Sequence, residues 1–166
     1  MDPKIGLSEE VRERVIGILN VTLADEHAPL YVKTRNYHWN VTGPQFHSLH
    51  EMLEEFYQKL SPLADDVAER VRMLGGRAIG TLAEFSQHMR LSEAPGEAPE
   101  ARQMVANLLA DHEQVIRDLR KDIDVCLDEL NDQGTGDFLT NLMEQHEKMA
   151  WMHRAFLEGR SVGPSA

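Results

Sequence analysis

His38-Trp39-Asn40-Val41-Thr42-Gly43-Pro44-Gln45-Phe46-His47-Ser48-Leu49-His50-Glu51-Met52-Leu53-Glu54, followed by Asp65-Asp66-Val67-Ala68-Glu69-Arg70, is the stretch whose reading decides this fold. From Phe46 the apolar residues Leu49, Leu53, Phe56, Leu60, Leu63, Val67, Val71 and Leu74 recur at steps of three and four, the period of one long amphipathic helix. At 100° per residue, Glu54, Asp65 and Glu69 lie about 40°, 60° and 100° around the axis from His50, so all four share one stripe beside the apolar seam. Together with His38 they are nitrogen and oxygen ligands suited to an iron-sized divalent ion. His50 and Asp65 are nevertheless about 22 Å apart along the axis, against a metal bond of about 2.0 to 2.2 Å. One copy of this helix cannot close the site.

Two arrangements remain: two half-sites within a chain, or one site closed by an antiparallel copy of the helix from a second subunit. The second fits better. A two-fold axis between Lys59 and Leu60 sets His50 and Glu54 of one chain against Asp65 and Glu69 of the other, and an isologous dimer makes the site twice. Thr42-Gly43-Pro44 reads as a turn, with His38 about as far before it as His50 is after it. Folding back levels the two histidines. Any one of these residues alone would more often be packed or solvated than a ligand; the joint spacing carries the argument. Pro62 opposes it, since a helix-interior proline removes a hydrogen bond and clashes with the Gln58 carbonyl. A kink, or a break after Ser61, is expected there.

The pattern His38-x-x-x-x-Gly43-x5-Leu49-His50-x3-Glu54, then Asp65-x3-Glu69-Arg70-x3-Leu74-Gly75, resembles the double signature of the Dps family, the dodecameric miniferritins. The resemblance extends over most of the chain, roughly Ser8 to Leu157, and includes the region of Trp151. It implies that His38, His50 and Glu54 of one subunit bind iron with Asp65 and Glu69 of the two-fold mate. It further implies a homododecameric shell of 23 symmetry that oxidises Fe(II) to Fe(III), with hydrogen peroxide favoured over oxygen, and stores the ferric product. The resemblance thus implies a ferroxidase that protects against oxidative damage. Many relatives have Asp where Glu54 stands and a larger apolar residue where Ala64 stands, departures that remove no ligand type. Trp39, next to His38, is a candidate one-electron donor to a stray oxidant or an aromatic anchor at the helix end. Zinc is an alternative ion for the same five ligands.

Elsewhere the chain reads as one all-α domain, residues 1–166, a ferritin-like four-helix bundle with a short helix in the crossover between the second and third long helices. The first helix is expected from a Ser8 N-cap to about Asn40, with Val11, Val15, Ile18, Leu19, Thr22, Leu23, Glu26 and Leu30 inward and a possible kink at Pro29. Thr81-Leu82-Ala83-Glu84 is a capping-box pattern opening a short helix to about His88. After the loop Ser92 to Pro99, Pro99 can open the third long helix, which runs to about Asn131 with His112 among its inward residues. Gly134-Thr135-Gly136 is expected to break it, leaving the fourth helix from Asp137 to about Glu158.

A net charge of -11, from 17 basic and 28 acidic residues, disfavours phosphate backbones and suits a protein that attracts cations. The segments Met1 to Leu7 and Gly159 to Ala166 carry one lysine and one arginine between them, too few for the basic tail of the rival reading, a DNA-compacting nucleoid protein. Direct DNA binding is expected to be absent or weak. A third reading is a non-redox, zinc-binding helical bundle. One cysteine, Cys126, excludes an intramolecular disulfide. The chain has no membrane-length apolar run and no signal-peptide pattern at Met1-Asp2-Pro3-Lys4, which makes a cytoplasmic location the expectation. None of the eight histidines has Glu three residues before it, so the Glu-x-x-His di-iron pattern is absent. The pairs His47 with His50 and His146 with His153 are read as surface or packing residues, with an added zinc or second-iron site as the alternative. A closed shell needs a polar entry, and a three-fold axis turns each acid into a ring of three. The resemblance places that channel near the last helix junction, where Asp128 and Asp137 are the candidate pore residues.

Overall fold

The computed structural model describes residues 3–93 and 95–158, and the regular elements within them are all helical. Ser8 caps the first as expected, its Oγ accepting from the Val11 N–H at 3.3 Å, and the acids Glu9 and Glu10 meet the positive end of the helix. This helix, α1 (Glu9–Asp25), passes through a π-helical turn (Glu26–Tyr31) into α2 (Val32–Asn40). The π turn holds Pro29, which has no N–H and crowds the preceding turn; the wider winding takes up both defects.

After Gly43, whose φ of 105° suits only glycine, α3 (Phe46–Met73) runs unbroken through Pro62. The expected break after Ser61 does not occur. Ser61, Pro62 and Gln58 are all exposed, so the lost hydrogen bond falls on the face where water can satisfy the freed carbonyl. The short α4 (Leu82–His88) has both bonds of its capping box: Thr81 Oγ1 accepts from the Glu84 N–H at 3.2 Å and Glu84 Oε2 from the Thr81 N–H at 3.1 Å.

The third long helix, α5 (Ala101–Asp124), begins two residues after Pro99, which precedes the helix instead of opening it. It continues in a second π turn (Val125–Glu129). The last helix, α6, is Gln133–Glu158, so the expected break at Gly134-Thr135-Gly136 is wrong. The chain turns instead at Asn131, with φ of 52°, a conformation asparagine tolerates better than most residues. Asp132 then acts as an N-cap, accepting from the Thr135 N–H at 3.1 Å and the Thr135 hydroxyl at 2.6 Å.

Ends of helices identify the pairing. Arg12 donates to the Leu74 carbonyl at one end of α1 and α3, while His38 meets His50 at the other, so the two run antiparallel. Arg102 reaches the Leu157 carbonyl and Arg120 reaches Glu147, which makes α5 and α6 antiparallel too. Between them Leu19, Leu30, Leu60, Val67, Leu119 and Leu139 are fully buried. Each contributes about 1.5 to 3 kcal/mol by leaving water. The crossover is tied down by Arg90, which holds Asp25 at 2.7 Å and Asp122 at 2.8 Å.

Candidate metal centre

The turn at Gly43 brings the end of α2 against the start of α3, and with it His38 against His50. Their rings stack at 3.8 Å between centroids, 21° from parallel. Each ring is fixed by the other's backbone: His38 Nδ1 lies 2.9 Å from the His50 carbonyl, and His50 Nδ1 lies 2.9 Å from the His38 carbonyl. A carbonyl only accepts, so both Nδ1 atoms carry hydrogen and both Nε2 lone pairs are free. That is the tautomer a metal-binding imidazole needs, with its other nitrogen oriented by a backbone acceptor.

Glu54, one turn after His50, completes a trio whose ligand atoms lie within 4.8 Å of one another. His38 is buried, and His50 and Glu54 are half-buried. Two neighbours escaped the sequence reading. Tyr57 sets its ring edge-on to His38 at 5.2 Å and its hydroxyl 3.4 Å from Glu54, and Gln58 donates to the same carboxylate oxygen at 3.1 Å. Arg35 lies over the rings of Tyr31, Trp39 and Tyr57 at 5.9, 5.1 and 5.4 Å. The i, i+4 spacing of Arg35 to Trp39 and Tyr31 was a readable cue; the contact to Tyr57 crosses helices and was not.

Asp65 and Glu69 stand exposed on the far half of α3, apart from the trio. Asp65 borders a cavity of about 480 Å³, together with His27, Pro62, Ile79 and Phe85. His47 faces solvent and lies 3.4 Å from Glu51, and among the described residues the ligand trio around His50 does not include it. Asp128 lies in the second π turn and Asp137 one turn into α6; both are exposed.

Residues 16–161 match the family described as Ferritin-like domain. An uncharacterized low temperature-induced protein of Nostoc sp. is 54% identical, the match covering 97% of this chain and 89% of that protein. A DNA protection during starvation protein of Brevibacillus brevis is 38% identical, over 92% of this chain and 100% of its own. This chain belongs to the Dps family. Among solved structures, the Dps protein of Vibrio cholerae, described as a member of a broad superfamily of ferritin-like diiron-carboxylate proteins, superposes with a TM-score of 0.87. That match is 27% identical and covers 95% of this chain and 97% of that one.

This Dps chain also buries a second cluster of imidazole and carboxylate side chains, of which the sequence reading took His146 and His153 as surface or packing residues with an extra metal site as the alternative. His146 and His153 of α6 are fully buried inside the bundle, with His112 of α5 and Glu26 of the first π turn. Burial holds His112 well below the ordinary histidine range, with the neighbouring imidazoles adding to the effect, and it pushes His153 down to about 4. A cue existed: Glu26 and the three histidines all fall on apolar helix faces, where charge is costly. No helix among the described residues is long and apolar enough to cross a membrane. The basic-tail question falls mostly on residues 1–2 and 159–166, including Arg160, which lie outside the described residues.

Proposed function

We propose that this protein oxidises Fe(II) to Fe(III) at sites shared between two-fold related subunits and stores the ferric product inside a homododecameric shell. The observation that carries this is the trio His38, His50 and Glu54, with both Nε2 lone pairs free. It is half of a ligand set, and Asp65 and Glu69, the acids at matching spacing, lie on the other half of the same helix. An antiparallel copy of α3 brings the two halves together. The diiron-carboxylate description of the Vibrio cholerae relative supports iron as the ion.

Fe(II) is the substrate. Two neutral imidazoles suit Fe(II), while the hard carboxylates of Glu54, Asp65 and Glu69 favour the Fe(III) that forms. With hydrogen peroxide, two Fe(II) each lose one electron, the O–O bond breaks, and two protons are taken up to give two waters. Using peroxide together with iron suppresses hydroxyl-radical formation. Trp39, adjacent to His38 and 64% exposed, is the residue proposed to yield an electron to an oxidant that escapes this stoichiometry.

The test is complementation. A chain with His38→Ala and His50→Ala and a chain with Asp65→Ala and Glu69→Ala are each expected to be inactive in peroxide-dependent Fe(II) oxidation. Refolded together they should regain activity, because a mixed dimer has one intact site. Inactive mixtures, with mixed dimers demonstrated, refute the shared site.

The names of relatives such as the Brevibacillus brevis protein favour a second reading, direct protection of DNA. The charge of -11 opposes it. At about 0.15 M salt, where charges interact over about 8 Å, no shift of duplex DNA is expected in a gel without divalent ions. A tight, salt-sensitive shift would reinstate the DNA reading.

A further inference from the structure

Glu26 is a carboxylate with no solvent exposure, at the start of the π-helical turn between α1 and α2. Its Oε1 lies 2.7 Å from Nε2 of His146, which is equally buried. At that distance an aligned N–H would make a strong hydrogen bond, yet neither atom has a hydrogen-bond partner, and Glu26 Oε2 has none either. The two atoms are in close contact without a hydrogen bond between them. Two lone-pair-bearing atoms this close, with no hydrogen bond joining them, can share one ion. An ion about 2.1 Å from each would be seen by them at an angle of about 80°, and Oε2 is available as a third donor.

The opposite edge of His146 is oriented to match. Its Nδ1 lies 3.0 Å from Nδ1 of His112, and only one hydrogen fits between two ring nitrogens. When His146 donates that hydrogen, its Nε2 lone pair is released toward Glu26, and His112 serves as the acceptor that orients a ligating imidazole. His153 ends the row: its Nδ1–H donates to the Met149 carbonyl at 2.9 Å, and its ring lies 5.3 Å from that of His112. The unpartnered Nε2 atoms of His112 and His153 make the cluster polar beyond what packing needs.

We propose that the bundle interior binds a divalent first-row transition-metal ion through Glu26 and His146, with His112 holding His146 in its ligating tautomer. Imidazole nitrogen with carboxylate oxygen suits zinc or ferrous iron, and a divalent ion offsets the buried charge of Glu26. This site is separate from the shared one and needs one chain only.

Co(II) is the probe. In assembled protein carrying His38→Ala, His50→Ala and Glu54→Ala, the interface trio is gone. After anaerobic incubation with Co(II) and gel filtration, one Co(II) per chain should remain, with visible d–d absorption. Adding Glu26→Gln and His146→Gln should abolish both, with sizing and circular dichroism unchanged. No retained Co(II) in the first variant refutes the site, as does retention in the second. Should the second fail to fold, anomalous diffraction from Co(II)-soaked crystals of the first decides: a peak between Glu26 and His146 supports the site, and its absence overturns it.

Discussion

Asp132 caps α6 between the turn at Asn131 and the first glycine of the helix, Gly134. Its carboxylate, 5% exposed, takes the Thr135 N–H and hydroxyl and stands 3.6 Å from Arg70. Asp132→Ala is therefore expected to remove a helix cap and leave a guanidinium without its carboxylate, costing about 1 to 2 kcal/mol. Reversible denaturation of wild type and variant would measure the loss; an unchanged midpoint would rule out the cap. The two glycines beside it were misread from sequence because glycine has two uses. Here they permit close approach instead of breaking a helix: a Cβ on Gly136 would come within 2.4 Å of Leu127 Cδ2, and one on Gly134 would come 3.0 Å from the Arg70 guanidinium. Such neighbours are distant in sequence or visible only after folding, so local punctuation rules had no access to them. By contrast His38, His50 and Glu54 were legible, because a turn and a helical step bring them together by local geometry alone.

Among the elements, α3 and α4 were the clearest in sequence, since periodicity and a capping box are written in adjacent residues. The two π turns were not, although Pro29 marked the place of the first. The first is packed against α3, α4 and α5 and the second against α6, and no window of the chain encodes those contacts. In α4 the capping box makes a pH-dependent prediction. Arg77, then the N–H of Gly80 and the Thr81 hydroxyl, hold the Glu84 carboxyl down to about 2. A carboxyl held below its ordinary value stabilises the helix when ionised. Its contribution is complete above an ordinary glutamate pKa of about 4.3 and is lost as pH falls through about 2. Amide exchange across residues 81–88, corrected for intrinsic rates, should accelerate over that window in wild type. In Glu84→Gln it should be faster at neutral pH and lack the acid step. Identical profiles would remove Glu84 from the cap.

For the whole molecule, the excess of acid over base becomes a matter of where cations arrive. Asp128 and Asp137, both exposed near the junction of α5 and α6, are the residues proposed to line a three-fold entry. A ring of carboxylates raises the local cation concentration, with on-rates higher by about 10-fold or more at low ionic strength. Asp128→Asn with Asp137→Asn should slow Fe(II) oxidation by about that factor at low iron and low salt. The difference should shrink in added salt, while sizing and the interface ligands stay unchanged. Equal initial rates in both chains would direct the search to another entry. The pairing of His38 with His50 has a further consequence for the order in which the molecule is made. Those residues are 12 apart in sequence, whereas the Arg90 clamp closes on Asp25 across 65. Loop closure alone favours the shorter link by about 1.5 kcal/mol. During synthesis both imidazoles and Glu54 have left the ribosome's catalytic centre before Asp65 has been added. The nitrogen-rich half of the centre thus rests on one short loop, and its closure costs less chain entropy than any contact that ties in the crossover.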